Sequence, residues 1–148
     1  MRILYIEDAN HFRDTVLYSI QRQRSLSAAN IVAVPTYQQA VSLLENELFD
    51  GIVMNLQCHG SQEFKPVADF YKLVTGKKIP TVIFSGLVPE SAMDELLLFG
   101  IHLSPDSVFE KTSTGNLAQP FLTLQERFSP SPSGRQVTSV SSVPSGMN

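Results

Sequence analysis

Residues 1–128 alternate between short continuous apolar runs and longer segments with apolar positions at helical spacing. Ile3-Leu4-Tyr5-Ile6 is an apolar run that stops at Glu7-Asp8 and predicts a strand. From about His11 to Gln23, Phe12, Val16 and Ile20 recur at helical spacing with Leu17 beside them. Ile31–Val34 predicts a second strand, stopped by Pro35. Thr36 is a suitable N-cap for a helix through about Asn46, with Ala40, Val41 and Leu44 facing inward. Gly51–Met54 is apolar throughout, as expected of a strand buried on both faces. Phe64 to about Thr75 carries a stripe of Val67, Phe70, Tyr71 and Val74. Thr81–Phe84 predicts a fourth strand, introduced by Pro80, and Glu90–Phe99 a helix closed by Gly100 at its C′ position. Val108-Phe109 predicts a short fifth strand. A last helix begins near Asn116 or Pro120 and ends at Phe128; the proline is tolerable only in the first turn.

Strand and helix alternating five times is the pattern of an α/β fold, a parallel sheet with helices on both faces. In such sheets the ligand site lies beyond the carboxyl ends of the strands. The polar residues at those ends are Glu7-Asp8, Asn55, Ser85 and Lys111.

Composition narrows the function classes. Of 148 residues, 43% are hydrophobic and 17% charged, enough apolar material for one core. The net charge of −3 argues against a nucleic-acid or anionic-membrane surface, which needs a concentrated basic patch. A single cysteine, Cys58, excludes an intrachain disulfide framework and suits a reducing compartment. No apolar run reaches the ~20 residues needed to span a bilayer, and the N-terminus lacks the pattern of a secretory signal, so the expected location is cytoplasmic. From Ser129 to Asn148, seven Ser, three Pro and two Gly accompany one charged residue, Arg135. That composition is expected of a disordered tail or linker following a folded unit of residues 1–128.

Two adjacent acids, a carboxamide, a hydroxyl and an amine at one sheet edge form a specific constellation. With the runs Ile3–Asp8, Phe49–Leu56, Ile79–Gly86 and Phe109-Glu110-Lys111, the sequence resembles the receiver domain of two-component response regulators over Arg2 to about Phe128. The resemblance implies a flavodoxin-like (CheY-like) fold with five parallel strands in the order 2-1-3-4-5. It implies that Glu7 and Asp8 are the acid pair that holds Mg²⁺ in the family. Ser85 and Lys111 match the hydroxyl and amine that contact a phosphoryl group and couple it to the face of the fourth helix, fifth strand and last helix. The phosphoacceptor position holds Asn55 where the family has Asp.

That difference is chemically decisive. A carboxylate oxygen can attack phosphorus, whereas a carboxamide is uncharged, has delocalised lone pairs and is a poor nucleophile. Mg²⁺ requires hard oxygen ligands. Glu7, Asp8 and the Asn55 side-chain oxygen are then expected to hold it weakly, with one formal charge fewer, and no cofactor is required. Lys111 loses an anionic partner at position 55, and Glu7 or Asp8 is near enough to replace it. Further departures from the family lie at Cys58-His59 (usually Met-Pro) and at Thr112 (usually Pro). The switch position before the lysine holds Val108, with Phe109 one place later, and the segment from Gly100 to Lys111 is longer than the family norm.

Plainer readings exist for each feature. Glu7-Asp8 also suits solvated acids near a helix N-terminus, Ser85 a turn before Gly86, and Lys111 a surface lysine. Cys58-His59 is expected to be an ordinary loop, since adjacent residues seldom share one metal ion. His11 and His102 are expected to be exposed. Gly76-Lys77-Lys78 lacks the remainder of a phosphate-binding loop. The reading favoured by the sequence is a non-enzymatic pseudo-receiver. Such a module would bind protein partners through the fourth-helix, fifth-strand, last-helix face, and would bind neither nucleic acid nor membrane. The alternative is a phosphorylated receiver, using Ser85 or Asp50, as the N-terminal part of a longer regulator. A flavodoxin-like enzyme or nucleotide binder finds no supporting motif.

Overall fold

The first apolar run forms β1 (Arg2–Ile6), whose Ile3 to Ile6 are fully buried. The computed structural model describes residues 1–56, 64–111 and 115–128. The segment containing Cys58-His59, Thr112 and the Ser/Pro-rich segment 129–148 lie outside the described residues. After β1 the chain continues through α1 (Asn10–Gln21), β2 (Asn30–Val34), α2 (Tyr37–Asn46), β3 (Gly51–Met54) and α3 (Lys65–Gly76). It ends with β4 (Thr81–Ser85), α4 (Pro89–Leu97), β5 (Val108–Glu110) and α5 (Gln119–Phe128). The strands form one parallel sheet in the order β2-β1-β3-β4-β5, as expected from the sequence. Among the described residues, no helix is long and apolar enough to cross a membrane.

Strand side chains alternate between the two sheet faces, so each strand feeds two separate cores. Leu4, Ile6, Ile52, Met54 and Ile83 pack with the inner faces of α2, α3 and α4. Ile3, Tyr5, Val53, Val82 and Phe84 pack with α1 and α5. Helix α5 packs closely on Gly51, where an added Cβ would lie 3.1 Å from a methyl of Leu124. A side chain there would require the Leu124 side chain to give way by a few tenths of an ångström. The Thr36 hydroxyl caps α2 by accepting from the Gln39 amide at 2.9 Å, the role its sequence position suggested. Pro120 falls in the first turn of α5, where the amide it lacks would have no helical partner.

The end of α1 departs from the sequence expectation for a clear cause. Helix α1 ends at Gln21 rather than Gln23, and a 3-10 turn at Arg24–Leu26 follows. That turn inserts Leu26, 2% exposed, into the core beneath α1 and α5. Burial of one leucine outweighs two more helical residues on the surface. Helix α3 ends at Gly76, within one residue of the expected Thr75, and α4 stops at Leu97 rather than Phe99. Both α3 and α4 close with paired backbone bonds that satisfy their last carbonyls: Lys78 to Thr75 and Ile79 to Val74, then Gly100 to Leu97 and Ile101 to Leu96. The motif needs a left-handed residue, supplied by Gly100 (φ +79°) in α4 but by Lys78 (φ +61°) in α3. Gly76, two positions earlier, lies inside the helix with open space around its Cα. The double change Gly76→Ala, Lys78→Gly therefore moves the glycine to the strained position. It is expected to raise unfolding free energy by roughly 1–2 kcal/mol in urea denaturation. No gain, or a loss, would contradict this account of the helix end.

Candidate functional site

Strand register assembles the site. Ile6 is opposite Val34 on one side and Met54 on the other, so Glu7 and Asn55 emerge together at the carboxyl edge. The Glu7 amide bonds to the Val34 carbonyl at 3.0 Å and the Asn55 amide to the Ile6 carbonyl at 3.1 Å, extending the ladders one residue past the strands. On the other side, Ser85 pairs with Glu110, and the Lys111 amide donates to the Ser85 carbonyl at 2.8 Å. Glu7, Asp8, Asn55, Ser85 and Lys111 thus share one edge of the sheet.

Glu7 lies at the centre of this group and its side chain is 0% exposed. A carboxylate removed from water needs a counter-charge and hydrogen-bond donors, and both are present. The Lys111 ammonium lies 2.7 Å from Oε1. Oε2 accepts from the Ala9 amide at 3.1 Å and from the Asn55 side-chain amide at 3.3 Å. The same Asn55 amide nitrogen reaches Asp8 Oδ1 at 3.4 Å, bridging the two acids, while Asp8 itself is partly exposed. The Lys111 ammonium also sits 4.6 Å from the centre of the Phe12 ring, on whose electron-rich face a cation is stabilised.

Three residues at this edge carried no site signal in the sequence reading. Arg13 donates to the Glu7 carbonyl at 2.8 Å and to Asn10 Oδ1 at 2.6 Å, tying the start of α1 to the end of β1. The Tyr37 hydroxyl donates to the Asn55 carbonyl. Phe12, read only as part of an apolar stripe, forms the floor under Lys111. The available signal was topological. A helix that follows a parallel strand starts at the carboxyl edge, so the first turns of α1 and α2 had to lie beside Glu7 and Asn55.

Ser85 is fully buried, and its hydroxyl oxygen accepts from the Leu87 amide at 3.1 Å, closing a local turn. Asp50 lies at the opposite, amino edge of the sheet, where its carboxylate accepts from the Arg2 amide at 2.7 Å. The Val108 and Phe109 side chains diverge: Val108 enters the core under α4, and Phe109 packs towards α1 and α5. Phe109 also lines an open cleft of about 420 Å³ with Pro105, Asp106, Thr123, Glu126 and Arg127. Arg127 spans this cleft, donating to the Asp106 carbonyl at 2.7 Å and to the Ser107 hydroxyl at 2.9 Å. The Ser104 hydroxyl beside Asp106 holds that carboxyl below its usual range. His11 and His102 are exposed.

The pocket does not fit Mg²⁺ in this arrangement. A hard divalent ion needs several oxygen atoms converging on one point. Here Glu7 Oε1 faces the Lys111 ammonium as an ion pair at 2.7 Å, Oε2 accepts two N–H groups, and Asn55 presents its donor nitrogen, not its oxygen, to the two acids. Among the described residues, no group of three His, Cys, Asp or Glu side chains converges as a metal site. Of the weak Mg²⁺ set expected from Glu7, Asp8 and Asn55, Glu7 is therefore turned to the Lys111 cation and to amide hydrogens, and Asn55 offers a donor nitrogen where the ion needs an oxygen.

No family model matches the sequence, and no curated protein matches it. Solved structures do match. The receiver domain of a Francisella response regulator superposes with a TM-score of 0.62 at 13% identity, covering 86% of this chain and 95% of that one. A CheY-like receiver domain from Methanospirillum hungatei gives 0.61 at 15% identity, over 86% and 92%. The signal receiver domain of the putative response regulator NarL from Mycobacterium tuberculosis gives 0.60 at 18% identity, over 84% and 95%. At these identities the likeness is one of fold. The chain has the CheY-like, flavodoxin-like fold of receiver domains.

Proposed function

We propose that this chain is an atypical receiver domain that acts in cytoplasmic signal transduction as a protein-interaction module, with neither phosphorylation nor catalysis of its own. The observation that carries this reading is Asn55. It stands at the edge position between the two acids, is 3% exposed, and its amide nitrogen bonds to both carboxylates. A neutral amide whose nitrogen electron pair is delocalised, and whose N–H groups point at two acids, is a poor nucleophile for phosphorus. Neither alternative acceptor from the sequence reading is better placed, since Ser85 is sealed in a turn and Asp50 lies at the far edge of the sheet.

The proposed output surface is the face of α4, β5 and α5. Val88 and Leu97 are about half exposed and Leu98 is 79% exposed, on or beside α4. Residues 84–128 carry Glu90, Asp94, Glu95, Asp106, Glu110 and Glu126 against Lys111 and Arg127, a net −4 within a chain of net −3. Exposed apolar side chains in an acidic segment suit a protein partner and disfavour nucleic acid and anionic membrane.

The test is intact-mass measurement after incubation with acetyl phosphate and Mg²⁺. Wild-type protein is expected to gain no phosphoryl group, and Asn55→Asp to gain one. A phosphoryl group on the wild-type chain would instead establish the phosphorylated-receiver alternative.

A further inference from the structure

Most of the charge in the pocket is already balanced from within. Glu7 is inaccessible to solvent, yet its Oε1 lies 2.7 Å from an ammonium whose own side chain is only 17% exposed. Oε2 receives two N–H groups, and the Phe12 ring supports the ammonium from below. A buried carboxylate takes whichever cation can reach it with the best geometry, because the cost of leaving it bare is large. Position 55 decides which anion Lys111 reaches. Asn55 is neutral, so it neither attracts the ammonium nor repels Glu7, and the lysine goes to Glu7.

We infer that the Lys111 ammonium is the resident cation of this acid pocket, and that it keeps the pocket closed to divalent cations. The pocket's net charge sets the outcome. Among the described residues, Glu7 and Asp8 against Lys111 leave a single negative charge at the acid pair, with the Arg13 guanidinium on the Glu7 carbonyl at its rim. A carboxylate at position 55 would stand where the Asn55 nitrogen now lies, 3.3 Å from Glu7 Oε2. Three clustered acids would then share one lysine, and close like charges raise the demand for a cation steeply. The lysine would also have a second anion to satisfy. Removal of the ammonium has the same sign of effect, since it exposes the Glu7 carboxylate to an incoming ion. This inference rests on pocket geometry, and no phosphodonor enters its test, so it can fail while the phosphorylation reading stands.

The test is titration with MgCl₂ against NaCl of equal ionic strength, read both by amide NMR shifts of residues 7–9 and 55 and by the thermal midpoint. Four proteins are needed: wild type, Lys111→Arg, Lys111→Met and Asn55→Asp. Wild type and Lys111→Arg are expected to show only the shifts that NaCl also produces. Asn55→Asp and Lys111→Met are expected to bind Mg²⁺ at least ~10-fold more tightly than wild type, and Mg²⁺ should raise their midpoints. Lys111→Met bears the lost ion pair, so if it does not fold, Asn55→Asp with its lysine intact carries the comparison alone. Overturning results are wild-type binding as tight as that of Asn55→Asp, or no Mg²⁺ response in either charge-altering variant.

Discussion

Lys111→Met is expected to lower the unfolding free energy by about 3–5 kcal/mol in metal-free buffer, the usual cost of stranding one member of a buried ion pair. The size of the effect follows from asymmetry. Lys111 loses little by becoming methionine, because its stem still packs over Phe12. Glu7 loses its counter-charge while remaining fully buried, 0% exposed. The double variant Glu7→Gln, Lys111→Met removes both charges and keeps an amide that can still accept from Ala9 and Asn55. Its loss is expected to be only ~1 kcal/mol, so the two substitutions should be strongly non-additive. Urea denaturation of the four corners of this cycle, with Mg²⁺ chelated, provides the check. Additive losses would mean that the two side chains act independently, and the site would have to be rebuilt without the pair.

Phe121→Ala is expected to cost a comparable ~3–5 kcal/mol, for a different reason. Phe121 is 0% exposed on α5 and meets the Tyr5 ring edge-to-face with centroids 5.1 Å apart. It lies in the core layer that also holds Val53, Val82, Phe84 and Leu124, so truncation opens a cavity that α5 cannot close without leaving β3. Leu98→Ala removes an equally apolar side chain that is 79% exposed, and should change stability by less than ~0.5 kcal/mol. The contrast, measured by far-ultraviolet dichroism in urea, tests whether α5 is an integral part of the fold. Equal small losses from both variants would place α5 outside the cooperative unit.

The strands and helices were legible because each class of element writes its own period into the chain. Continuous apolarity at Gly51–Met54 came from burial on both sheet faces, and the stripes of α2 and α3 from burial on one face of each helix. Parallel topology then did the rest for the site. When every strand runs the same way, the residues that follow the strands share one edge whatever their separation in sequence. That is how Glu7, Asn55, Ser85 and Lys111 could be grouped before any coordinates. The end of α1 and the left-handed residue after α3 were not legible, because Leu26 gains its place from a core formed by other elements and Lys78 from a backbone motif that glycine would have announced.

What the sequence by itself determined is therefore the architecture, the membership of the edge cluster, and the absence of a nucleophilic carboxylate at position 55. The alternating periods specify an α/β parallel sheet, its topology groups the edge residues, the strand order came with the resemblance to receiver domains, and residue type alone places Asn55. Only the tertiary structure decided which acid takes the lysine and which way the amide of Asn55 points. Adjacent in sequence and identical in charge, Glu7 and Asp8 differ in burial: Glu7 is fully enclosed and Asp8 is partly exposed. Solvation makes an enclosed carboxylate demand a counter-ion far more strongly than an exposed one, so Lys111 pairs with Glu7.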